Sequence, residues 1–104
     1  MPQFGSPFSE LANSRKLTNK ELVRAIRFMV AAEYEATQMY VQLAESTDNK
    51  LAVAVLKDIA DEEIVHAGEF LKLLYELAPT EKALYAKGAG EVTEIAKSKL
   101  HQTL

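Results

Sequence analysis

The stretch Asn49–Leu77, NKLAVAVLKDIADEEIVHAGEFLKLLYEL, decides the fold. Its core-type positions run Ala52, Leu56, Ile59, Glu63, His66, Phe70, Leu73 and Leu77. Steps of three and four keep every member on one face of a helix. Gly68 is the one interior glycine, at a cost of about 1 kcal/mol relative to alanine, and Pro79 ends the helix. Upstream, a second stripe of the same period runs Leu22, Ile26, Met29, Glu33, Ala36, Tyr40 and Leu43. Thr18-Asn19-Lys20-Glu21 fits a capping box, with Leu17 and Leu22 placed as a hydrophobic staple. The first helix therefore starts near Asn19 and runs without glycine or proline to about Ser46, a length of about 42 Å. Ser46-Thr47-Asp48-Asn49 reads as the turn between the two helices.

Two long helices joined by a four-residue turn form an antiparallel hairpin. Glu33 lies 15 residues before Asp48 and Glu63 lies 15 residues after it. At equal rise per residue, the two carboxylates sit at the same height on opposite arms. His66 is one turn on from Glu63, on the same face. Three polar side chains thus converge on otherwise apolar stripes. An ionised carboxylate there is costly unless it is paired or binds a metal.

The ligand types point to iron: carboxylate oxygens and an imidazole nitrogen, with no thiolate. A helical hairpin cannot close a core alone, but two copies make a four-helix bundle. Di-iron sites in such bundles take one glutamate from each of two helices and a Glu-x-x-His from each of the other two. This chain carries half of that set. A two-fold pair of chains supplies the whole of it, with the metals at the interface.

Each residue also has an ordinary reading. A lone histidine on an apolar face is usually a satisfied core histidine, and a lone glutamate usually lies at a helix edge. The coincidence of three groups, on the stripes and at matched heights, favours the metal. Glu62 lies about 100° around the helix from Glu63 and competes with it as the ligand, sharing a face with His66 and Glu69. Tyr40 is either a core aromatic or a phenol beside the metal. Glu35 and Glu69 read as solvated carboxylates, or as a secondary metal position on an entry path. His101 sits in a polar tail and carries no role.

Bulk properties narrow the function. The chain has 104 residues, enough for one small domain that gains from oligomerisation. Its 48% hydrophobic content argues against disorder. Net charge is −3, with 12 basic and 15 acidic residues interspersed, so no basic surface for nucleic acid is expected. The absence of cysteine removes disulfides, thiolate sites and iron–sulfur clusters. No apolar run is long enough for a membrane span, and no signal peptide is recognisable. A cytoplasmic location is expected.

The rest of the chain is less periodic. Residues 1–17, with Pro2, Gly5 and Pro7, read as an extended arm. Its first residues read as a frayed terminus, and Phe4, Phe8 and Leu11 are candidates to dock on a neighbouring subunit. Residues 18–87 form the helical unit. Within it, Thr80 is expected to cap a short third helix over residues 81–86. Gly88-Ala89-Gly90 is expected to break the chain, leaving residues 88–104 as a short, weakly amphipathic helix and tail.

On these residues the chain resembles the encapsulated ferritins, a small branch of the ferritin-like superfamily related to the rubrerythrins. The resemblance covers about residues 18–87. It rests on Glu33-x-Glu35 followed by Tyr40, on Ser46-Thr47-Asp48, and on Asp61-Glu62-Glu63-Ile64-Val65-His66-Ala67. It implies an all-α fold: a two-helix hairpin with a minor C-terminal helix, dimerising into a ferritin-like four-helix bundle. It implies that Glu33, Glu63 and His66 of two chains hold a di-iron site, with Glu33 bridging and Tyr40 close by. It also implies Fe(II) oxidation, assembly into a ring expected to be a decamer, and delivery of iron inside an encapsulin shell. Such a ring has no closed cavity, so the mineral store lies elsewhere. The chain departs from the family pattern at Met39, where close relatives carry tryptophan. Its tail, KSKLHQTL, also lacks the Gly-Ser-Leu type core of the usual encapsulin-targeting peptide.

The expected function is therefore a ferroxidase, feeding iron to a mineral store. A rubrerythrin-like peroxide-reducing protein uses the same site. Having no cysteine-rich segment of its own, it needs an external electron donor. A metal-free helical oligomerisation module, with buried polar groups fixing register, is the third reading.

Overall fold

The computed structural model describes residues 14–103, with side chains through residue 100. The N-terminal arm, including Phe4, Phe8 and Leu11, and the side chain of His101 lie outside the described residues. The described chain is all-helical: α1 (Asn19–Glu45), α2 (Lys50–Leu77) and α3 (Pro79–Thr103).

Local chemistry sets the helix ends. Thr18 Oγ1 accepts from the Glu21 backbone N–H at 3.2 Å, and the Thr18 N–H donates to Glu21 Oε1 at 2.9 Å, completing the capping box. The Arg15 guanidinium donates to both Glu21 oxygens, at 2.8 and 2.7 Å. That pairing, with the Thr18 N–H, holds the Glu21 carboxyl down to about 2. A depressed carboxyl contributes stability fully above its unfolded value of 4.5, and the contribution is lost as pH falls through about 2. At the turn, Asn49 Oδ1 accepts from the Ala52 N–H at 3.0 Å and caps α2.

Packing in the hairpin follows a line slightly rotated from the expected stripes. The buried residues are Val23, Ile26, Val30 and Ala44 on α1, and Ala60, Ala67 and Leu74 on α2. Small alanines let the helices close, and one apolar cluster, Val23, Ile26 and Leu74, sits at the open end of the hairpin with Leu22, Phe70 and Leu77 against it. Of the expected core positions only Ile26 is buried. Leu43, His66 and Leu73 are exposed and the others half-buried. One pair of helices has a single line of closest approach, so residues flanking it keep a side uncovered.

The third helix differs from expectation. The break expected at Gly88-Ala89-Gly90 is absent, and α3 runs as 25 continuous residues from Pro79. The short element expected over residues 88–104 thus begins inside α3. Both glycines take helical, negative-φ backbone, and a Cβ at either would meet nothing within 4 Å. Two exposed glycines weaken a helix by about 1 kcal/mol each, and the alanines, lysines and glutamates around them are good helix formers. Thr80 is not the cap: Pro79 occupies the first helical position, which suits a residue without an N–H. The Ala78 carbonyl takes the first-turn bonds from Glu81 N and Lys82 N, at 3.0 and 3.2 Å. The described chain extends 59 × 45 × 20 Å, and α3 touches the hairpin only near its start and is otherwise almost wholly exposed. Among the described residues no helix is long and apolar enough to cross a membrane.

Candidate metal centre

Glu33 at the middle of α1 and Glu63 at the middle of α2 face one another across the hairpin, with His66 one turn beyond Glu63. One ligand atom from each lies within 4.8 Å of the others. His66 Nδ1 is 3.8 Å from Glu33 Oε2 and 3.7 Å from Glu63 Oε2. Both distances exceed a hydrogen bond. They match instead the spacing of neighbouring ligands on one ion: donors about 2.1 Å from a metal lie about 3.0–4.2 Å from each other.

The two carboxylates are largely covered, their side chains 18% exposed, whereas the imidazole is 47% exposed. The cluster thus opens on one side, where His66 looks out of the hairpin. Glu33 Oε2 is buried and accepts no hydrogen bond. A buried oxygen left without a partner costs about 1–3 kcal/mol, and a cation at this point would satisfy it. The donor set, two carboxylates and an imidazole without thiolate, suits a divalent transition ion such as iron.

That orphaned oxygen leads to a stability prediction. Glu33→Leu is expected to raise the metal-free protein's stability in chelator by about 1–3 kcal/mol. Urea unfolding measures the change, and a destabilised variant would show that Glu33 contributes structurally without metal.

Glu62 is exposed and outside the cluster, so the helix register brings Glu63, rather than Glu62, to Glu33 and His66. Tyr40 is half-buried on α1 and does not belong to the three-residue group. Glu35 and Glu69 are exposed and are not brought to it either. The Thr37 hydroxyl donates to the Glu33 backbone carbonyl at 2.8 Å, the same helical bond that Ser46 and Thr93 make elsewhere, so it belongs to the helix rather than to the cluster.

The sequence profile of the family described as Rubrerythrin matches residues 15–103. The chain belongs to the rubrerythrin family. Within that assignment, it is 43% identical over 91 residues to the encapsulin nanocompartment cargo protein EncC of Myxococcus xanthus, covering 88% of this chain and 68% of that protein. It is 33% identical over 84 residues to a ferritin-like–encapsulin shell fusion protein of Pyrococcus furiosus, covering 81% of this chain but only 24% of the fusion protein. Among solved structures, the encapsulated ferritin domain from Pyrococcus furiosus superposes with a TM-score of 0.80 at 30% identity. The match covers 86% of this chain and 91% of that one. The rubrerythrin-family assignment and the ferritin-like relatives support an iron-related function, and the all-helical encapsulated-ferritin fold is the one that the sequence resemblance implied.

Proposed function

We propose that this chain is a ferroxidase that oxidises Fe(II) at a di-iron site formed between two copies of itself. One observation carries the reading. A single chain gathers Glu33, Glu63 and His66 on one open, half-covered face, which is half of a bundle-type di-iron ligand set. A two-fold partner doubles it to four carboxylates and two imidazoles, and covers the exposed side of His66.

Fe(II) is the substrate. The carboxylates of Glu33 and Glu63 offset the charge of two cations and tolerate its increase on oxidation. The neutral nitrogen of His66 favours iron over calcium and magnesium. Two Fe(II) release one electron each, and dioxygen takes both electrons with two protons to leave as hydrogen peroxide. Tyr40 lies two turns along α1 from Glu33, where its phenol would stand near the oxidised pair. Fe(III) then passes to a mineral store.

The names of the relatives extend this to a setting. One is a cargo protein of an encapsulin nanocompartment and one is fused to an encapsulin shell. We place this chain accordingly, as a homo-oligomeric cargo inside an encapsulin compartment, with assembly of dimers into a ring such as a decamer.

The rubrerythrin family match favours a second reading on the same site, reduction of peroxide with an external electron donor. Anaerobic loading with Fe(II) followed by a choice of oxidant separates the two. The ferroxidase reading predicts stoichiometric Fe(III) formation on adding dioxygen alone. Sustained peroxide turnover with added reductant, together with no oxidation by dioxygen, would replace it with the second.

A further inference from the structure

α3 is joined to the hairpin by one residue. α2 ends at Leu77 and α3 begins at Pro79, with Ala78 between them at φ −137°, ψ 72°. The residue before a proline is disfavoured in the helical region, so α2 and α3 do not merge. The proline ring fixes its own φ, leaving the two dihedrals of Ala78 as the pivot. Beyond its first two turns α3 is almost wholly exposed. A long helix on a one-residue pivot needs something near its root to fix its angle.

That root carries one connected polar cluster. Arg27 of α1 donates through Nε to both oxygens of Glu81, at 2.9 and 3.2 Å, and through Nη2 to Oε1. The Tyr85 hydroxyl donates to Glu81 Oε2. The Tyr85 ring packs on Tyr75 of α2, with centroids 5.9 Å apart. Glu81 is thereby tied to α1 and, through Tyr85, to α2. Its side chain is only 14% exposed, whereas the other described residues of α3, Ala96 apart, are exposed. Most surface ion pairs contribute little, but an arginine fork on a covered carboxylate is both stronger and more directional.

We propose that Arg27, Glu81 and Tyr85 form a latch that fixes the angle of α3 to the hairpin, and that releasing it lets α3 swing about Ala78 as a rigid arm. The latch also shapes a crevice of about 420 Å³ bounded by all three helices, lined by Arg27, Tyr34, Leu71, Tyr75 and Tyr85 among others. The crevice keeps its third wall only while α3 is held. The bonds within α3 do not depend on the latch, so its helicity survives release.

Because the chain has no cysteine, Lys57→Cys and Lys97→Cys provide a unique pair of spin-label sites on α2 and α3. Labelled chains diluted into unlabelled ones report intrachain distances by pulsed electron resonance. A narrow distribution is expected with the latch intact. Glu81→Gln, which removes the charge but keeps the shape, should broaden and shift it with unchanged helicity by circular dichroism. The exchanged pair Arg27→Glu with Glu81→Arg should narrow it again. A distribution unchanged in Glu81→Gln, or a loss of helicity in place of broadening, would overturn the latch.

Discussion

Glu63→Ala abolishes Fe(II) oxidation, while Glu62→Ala leaves it near the parent rate. This is the expected result of a stopped-flow comparison under dioxygen. The two glutamates are adjacent in sequence and identical in chemistry, and they differ in direction by about 100° around α2. Glu63 is half-buried with its Oε2 3.7 Å from His66 Nδ1, whereas Glu62 is exposed. Changing groups that merely orient a metal ligand costs about 10–100-fold, so losing a ligand itself should cost more than about 100-fold. Retained helicity in both variants separates chemistry from folding. Equal rates in the two variants, or loss only with Glu62→Ala, would move the site off this face of the hairpin.

That contrast shows what the sequence carried and where it ran out. The capping box at Thr18 and Glu21 is a four-residue pattern, and the structure forms it as spaced. The matched heights of Glu33 and Glu63 follow from a short turn and constant rise, and the cluster forms where that arithmetic puts it. Glu62 against Glu63 was open because a stripe drawn from apolar residues is as wide as the difference between them. The helix register brings Glu63 to Glu33 and His66 and leaves Glu62 exposed. The close line between the helices runs through Ala44, Ala60 and Ala67, which periodicity alone does not distinguish from their larger neighbours. The continuity of α3 across Gly88 and Gly90 was hidden because glycine weakens a helix without forbidding it. The tie between Arg27 and Glu81 spans 54 residues and leaves no local signature.

Leu74→Ala is expected to have the largest effect on stability. Leu74 is 2% exposed and packs with Val23 and Ile26 where the hairpin is open, far from the turn that joins its arms. Its carbonyl also accepts from the Ala78 N–H at 2.8 Å, so its backbone anchors the end of α2 beside the α3 pivot. Truncating a buried leucine removes transfer free energy and leaves a cavity, for a loss of about 2–5 kcal/mol. Small domains have about 5–15 kcal/mol in total, so the variant should unfold at markedly lower urea. A loss under about 1 kcal/mol would mean that the site collapses around the smaller side chain, as variation among core sites allows. The cluster would then not be what holds the arms together.

The central claim is that one chain carries half of a di-iron site and two chains complete it. Native mass spectrometry of the protein loaded anaerobically with Fe(II), beside His66→Ala, tests this most directly. Two irons per pair of chains, lost in the variant while the pair persists, is the predicted result. A pair of chains that takes up no iron, or iron bound equally well by His66→Ala, would contradict it.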